Sequence, residues 1–92
     1  MNIDLMFYRQ WYDEDVKNAL SDGEKKQVLK QISDISLRQP IHLPSVEIGR
    51  DEVPLLKGLT RLDKFTGRQL MVAMFAIAQE LGLPVPDIMV VA

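Results

Sequence analysis

The chain has no cysteine, one histidine and one tryptophan among 92 residues. Without cysteine there is no disulfide, no thiolate nucleophile and no cysteine-based zinc site. That is compatible with a reducing compartment, and the expected location is the cytoplasm. A lone His42 leaves a zinc site dependent on carboxylates such as Glu47 or Asp51, and leaves a general base with no Ser or acidic partner at an interpretable spacing. His42 therefore reads as a surface or turn residue, and we assign no catalytic and no metal-ligating residue. Long apolar runs are also missing. Leu70 to Ala78 is the longest stretch, far short of the ~20 residues that cross a bilayer, so no membrane partner is expected. The start, MNIDLMFYRQ, has no basic segment before its apolar residues and carries Asp4 within them, unlike a secretory signal. No glycine-rich phosphate loop occurs, since Gly67 stands alone, and no cofactor is implied.

The net charge is −2. A sequence-independent nucleic-acid binder needs a cationic surface to release counterions, so nucleic acid is not an expected partner. The apolar fraction of 47% with charges of both signs belongs to a folded globule rather than a disordered chain. The length implies one domain, residues 1–92, with a core small enough that a partner or a second copy would add stability; a homodimer is allowed.

Asn2 to Tyr8 alternates, with Ile3, Leu5 and Phe7 on one side, which predicts a first half-buried strand with Phe7 in the core. Asp13 to Leu20 suits two helical turns. Ser21-Asp22-Gly23-Glu24 has the spacing of a capping box, so a chain break is expected there. Val28, Leu29, Ile32 and Ile35 follow as an apolar stripe that could extend to Leu37. Lys25, Lys26, Gln27, Lys30, Gln31 and Asp34 are assigned to water, and Pro40 stops the helix. Ile41 to Ile48 suits a short strand interrupted by Pro44, residues 49–52 a turn, and residues 59–65 a second strand. For FTGRQLMVAMFAIAQELG there are two readings. A helix would have Thr66 as N-cap, good helix formers within, and Gly82 and Pro84 beyond its end. A long central strand would have two apolar faces. The helix is preferred, because Ala and Met favour it. Residues 87–91 then form a terminal strand. The resulting order is strand, helix, strand, strand, helix, strand. It predicts an α+β fold: a four-stranded, mostly antiparallel sheet with two or three helices on one face, the split βαβ (ferredoxin-like) arrangement.

Aromatics are few, yet Phe7, Tyr8, Trp11 and Tyr12 cluster with Arg9. Aromatic and arginine side chains are enriched at the centres of protein interfaces. Tyr8, Trp11 and Tyr12 are therefore the candidate partner-binding residues, with Trp11 and Tyr12 beyond the strand and free to face a partner. Asp13, Glu14 and Asp15 read as the acidic start of a helix on a solvated face, with a metal or acid–base cluster as the alternative. Thr66-Gly67-Arg68 opens a helix, where free amides and an arginine could hold an anion. Arg61, Lys64 and Arg68, near Lys57, form the only basic group of the C-terminal half, a candidate anion or RNA contact. LGLPVPDI is a poor recognition helix, with two prolines and no base-reading side chain.

MFYRQWYDEDVKNALSDGEKKQVLKQISDI resembles the first strand and helical hairpin of the RelE/ParE toxin superfamily. LLKGLTRLDKFTGRQ is similar to the segment leading into that family's sheet. The resemblance implies a β-α-α-β-β-β fold and an action on ribosome-bound mRNA or gyrase, with Arg61, Lys64 and Arg68 as RNA contacts. The family's sheet ends in Arg, Tyr or His acting in catalysis. DIMVVA carries none of them, so the resemblance implies binding rather than cutting. The expected function is a small non-enzymatic protein-binding regulator or inhibitor. Phages, prophages and plasmids commonly encode such chains, including inhibitors of host defence. The toxin of a toxin–antitoxin pair is the alternative.

Overall fold

The computed structural model describes residues 3–43, 47–60 and 64–91. The chain opens with a helix, α1, over Ile3–Trp11. It runs on without a break into a π-helical turn over Tyr12–Val16, where the Lys17 amide reaches back to the Tyr12 carbonyl at 2.9 Å. The expected first strand is thus corrected to a helix. A window ending at Tyr8 shows alternation. Carried on to Val16, the pattern places the half-buried Tyr8 and the buried Trp11, Tyr12 and Val16 at i, i+3, i+4 and i+8, which is one face of a helix. Two pairs of the i, i+4 kind support it on the outside: Arg9 Nε to Asp13 Oδ1 at 3.2 Å and Gln10 Nε2 to Glu14 Oε1 at 3.1 Å.

The chain breaks where the capping box predicts. α2 covers Asp22–Arg38. The Glu24 amide donates to Ser21 Oγ at 3.2 Å, and the Ser21 amide donates to Glu24 Oε1 at 2.9 Å. The stripe of Val28, Leu29, Ile32 and Ile35 is buried, while Leu37 is exposed. Lys25, assigned to water above, is instead buried. It stands one turn before Val28 and Leu29 on the same face, and an ionic partner from another helix makes that position tolerable.

After α2 come β1 (Ile41–His42), β2 (Glu47–Gly49), a 3₁₀ turn (Arg50–Glu52), and a single helical turn, α3 (Pro54–Lys57). The turn α3 was not expected, although Pro54 occupies its first position, where a missing amide costs nothing. β3 covers Lys64–Thr66 and α4 covers Gly67–Leu81. The helical reading of residues 68–81 is the one adopted. Thr66 Oγ1 accepts from the Gln69 amide at 3.2 Å, and Gly82 closes the helix at φ 65°, the left-handed conformation glycine adopts without strain. β4 is only Val90–Val91.

The predicted four-stranded antiparallel sheet is not formed, in either the ferredoxin-like or the β-α-α-β-β-β version. Helices dominate, and the described strands make two separate pairs. β1 and β4 are parallel, Ile41 opposite Val90 and His42 opposite Val91. β2 and β3 are antiparallel, with Ile48 opposite Phe65. Of the four expected strands, the first is a helix, Ile41 to Ile48 contributes two separate short strands, and among the described residues 59–65 and 87–91 are extended in a ladder only at residues 64–65 and at Val90–Val91; such fragments are too short to join into one sheet. The face they would have covered is filled by α1. The centre is α4, whose Leu70, Ala73, Met74 and Ile77 are fully buried and which packs on α1 and α2. Gly67 permits one close approach: a Cβ there would collide with the backbone carbonyl of His42 and stand 2.9 Å from Ile41 Cγ2.

Candidate functional site

The π turn decides where the N-terminal aromatics go. Its wider i→i+5 closure places Tyr12 and Val16 in the core, both without exposure. Trp11 is 8% exposed; its indole Nε1 donates to the Leu59 carbonyl at 2.8 Å, and its ring lies 6.3 Å from that of Phe65. Trp11 and Tyr12 are therefore core residues and not a free patch. Phe7, assigned to the core, is the exposed one, at 59%. Tyr8 lies between them. Its ring meets Phe7 edge-on at 5.5 Å, and its hydroxyl accepts from Thr66 Oγ1 at 3.1 Å.

Beside this aromatic step the surface opens into a groove of about 340 Å³, lined by Phe7, Gln10, Trp11, Glu14, Asp15, Thr60 and Gln69. A second depression of about 260 Å³ adjoins it, sharing Asp15 and Thr60 and reaching Gly58 and Leu59. The acidic residues do not sit at a helix start, as the sequence suggested. α1 begins at Ile3, so Asp13, Glu14 and Asp15 lie on the π turn. Asp13 is engaged by Arg9, and Glu14 is held by Gln10. The described residues lining the groove include carboxylates and amides but no cation.

Gln69 is 1% exposed, and among the described residues its Oε1 finds no hydrogen-bond donor. Buried carbonyl oxygens are nearly always paired, and this one lies beneath the surface beside the groove. The signal was present in the sequence: Gln69 stands on the face of α4 shared by Ala73, Ala76 and Ile77, a polar residue within an apolar stripe.

On the far side of Tyr12, Lys25 Nζ donates to Glu80 Oε2 at 2.7 Å, joining α2 to α4. Glu80 lies in the last turn of α4, where the residue as a whole is exposed while its side chain, laid against Lys25, keeps 19% exposure. Burial, and next the Glu80 charge, push the ionisation of the Tyr12 phenol well above its ordinary value. The hydroxyl makes no well-aligned hydrogen bond among the described residues, so its link to Glu80 is one of charge and proximity.

The basic candidates are not gathered into one site by anything described. Arg61 lies outside the described residues. The backbone of Lys64 pairs with Gly49 in the β2–β3 ladder. Arg68 is half-buried in the first turn of α4. The helix start at Thr66-Gly67-Arg68 is not an open anion cradle, because Thr66 caps it and the His42 carbonyl presses on Gly67. His42 is half-buried in β1. Among the described residues no three His, Asp or Glu side chains converge as a metal set, and no helix is long and apolar enough to cross a membrane.

No family model, no curated protein and no solved structure matches the chain.

Proposed function

We propose that the chain is a small protein-binding regulator or inhibitor, of the kind phages, prophages and plasmids encode against host defences. One observation carries this reading: the open groove whose aromatic wall ends in the exposed Phe7, with Met6 beside it also exposed. A large aromatic held at the lip of a cleft is the anchor geometry that concentrates binding energy in protein interfaces. At about 340 Å³ the cleft is large enough to take one or two side chains of a partner. Phages and plasmids enter from the chain's size and mild acidity and from the prevalence of such chains among their products.

The test is affinity purification from the native host with the intact chain and with Phe7→Ala. Phe7 contributes little to the core, so the variant should keep its circular dichroism and melting curve while losing at least tenfold in affinity for the recovered partner. Unchanged capture by Phe7→Ala would remove the assignment. The ribosome- or gyrase-directed alternative rests on the sequence resemblance alone, since the fold that resemblance implies is not the one adopted. Growth arrest on induced expression, abolished by Arg68→Ala, would favour it.

A further inference from the structure

We propose that residues 83–91 form a detachable strap, which swings away about Gly82 as one unit and uncovers the edge of β1 while the helical core stays folded. The strap stands apart from the groove and from the protein-binding reading.

The strap is lightly held. Past the end of α4, residues 83–89 adopt no regular structure, and no residue from 83 to 91 is buried. Its backbone is fastened at one end only. The Met89 amide donates to Ser36 Oγ at 2.7 Å, the Ile41 amide to the Met89 carbonyl at 2.8 Å, and the Leu43 amide to the Val91 carbonyl at 3.0 Å. Between these bonds and the cap of α4, residues 84–88 make no backbone hydrogen bond among the described residues. Pro84 and Pro86 have no amide to donate. Their fixed φ, and the restriction each places on the residue before it, keep this stretch extended and stiff. Leu83 and Ile88 pack against the core but are only partly buried, and Met89, Val90 and Val91 keep much of their apolar surface in water. A segment with few buried apolar contacts and exposed backbone bonds opens at a lower free energy than the core. A stiff arm fastened at its far end has no intermediate anchor to hold part of it back, so it leaves as one piece.

What lies beneath is held differently. Ile41 is fully in the core, and β1 is pressed from its other side, where the His42 carbonyl and Ile41 Cγ2 lie against Gly67 at the start of α4. That contact does not involve the strap, so β1 keeps its place when the strap leaves. The open form therefore presents a preformed strand edge, with the Ile41 and Leu43 amides released from their acceptors. The joint is free to turn. Gly82 is exposed, takes the left-handed conformation at φ 65°, and has nothing within 4 Å of the position a Cβ would occupy.

Hydrogen exchange of the full chain, followed by NMR through a series of sub-denaturing urea concentrations, tests this. The Ile41 and Leu43 amides should exchange at least about a hundredfold faster than those of Ala73 and Ile77 in α4, through an opening that urea hardly promotes because it exposes little surface. Opening as a unit gives Ile41 and Leu43 equal protection, whereas peeling from Val91 inward frees Leu43 first. Ser36→Ala removes the acceptor of the Met89 amide and should speed exchange at Ile41 and Leu43 together by about fivefold, with the α4 amides no faster. Exchange of Ile41 and Leu43 at the α4 rate, a Leu43 rate well above that of Ile41, or indifference of both to Ser36→Ala would each overturn the strap.

Discussion

Replacing Lys25 by methionine should destabilise the protein by about 2–3 kcal/mol, and replacing Glu80 by methionine by about 3–4 kcal/mol, yet making both changes together should cost about 1 kcal/mol or less. The reasoning begins from the 2.7 Å contact between Nζ and Oε2. At an effective dielectric near 20, two unit charges at that distance attract by about 6 kcal/mol in gross terms. Removing each ion from water costs several kcal/mol, so the net contribution of the pair is close to zero. Single substitutions leave one charge buried without its counterpart. The asymmetry follows from solvent contact. Glu80 left alone keeps 19% of its side chain exposed and is partly rehydrated, whereas Lys25 left alone is only 7% exposed. The double variant replaces the pair with apolar groups of similar volume between α2 and α4. Urea unfolding followed by circular dichroism at 222 nm gives the three free energies, and the double-mutant cycle should return a coupling of at least about 3 kcal/mol. For a chain of this size the Glu80 change corresponds to a fall in melting temperature of roughly 12–30 °C. Additive effects, or single substitutions that each cost under about 0.5 kcal/mol, would refute the description of this contact as a partly buried, mutually dependent pair.

Tyr12→Phe should leave stability at neutral pH within about 1 kcal/mol of the parent or raise it, because the hydroxyl it removes is unpartnered among the described residues. The unfolded phenol ionises near 10 while the folded one holds its proton to higher pH. Its contribution is therefore complete below pH 10 and is lost above it, at up to about 1.4 kcal/mol per pH unit. Denaturation of parent and variant between pH 8 and 11 should show their difference moving toward the variant above pH 10, and a constant difference would refute the assignment. Gly67→Ala sets ~1 kcal/mol of better helix propensity against ~1–3 kcal/mol of overpacking on the His42 carbonyl and Ile41; a net loss of up to about 2 kcal/mol is expected by urea melt, and a gain would refute the close approach. Ser21→Ala removes one side of the capping box and should cost about 1 kcal/mol in the same assay.

Features legible in the sequence were those settled within a few residues. Ser21 with Glu24, and Thr66 with Gly82, mark helix ends through their own side-chain and backbone preferences, and the structure uses each in that way. The errors came from windows and partners. Asn2 to Tyr8 alternates on its own, and only the continuation through Trp11, Tyr12 and Val16 shows the helical period. The sequence reading makes one strand of Ile41 to Ile48 and another of 59–65, where the structure has two separate strands and a three-residue one at Lys64–Thr66; whether such fragments become one sheet or two pairs depends on what covers them, and here α1 takes the place of the expected first strand. Lys25 and Gln69 were the most informative residues overlooked. Each is polar within an apolar stripe, and the periodicity alone says that it is buried. The partner of Lys25 lies 55 residues away on another helix, which no local pattern shows. The groove could not be found before the direction of α1 was known, because Phe7 and Trp11 exchange roles when a strand becomes a helix.

The parallel pairing of β1 with β4 imposes an order on synthesis. The Ile41 amide donates to the Met89 carbonyl, the Leu43 amide to Val91, and the Met89 amide to Ser36 Oγ. Every one of these bonds waits for about fifty further residues to leave the ribosome, several seconds at ~5–20 residues per second. Until then the β1 backbone lacks the partners it has in the finished fold. The end of α2 and the strand that follows it therefore complete their hydrogen bonds only once the β4 segment has been made.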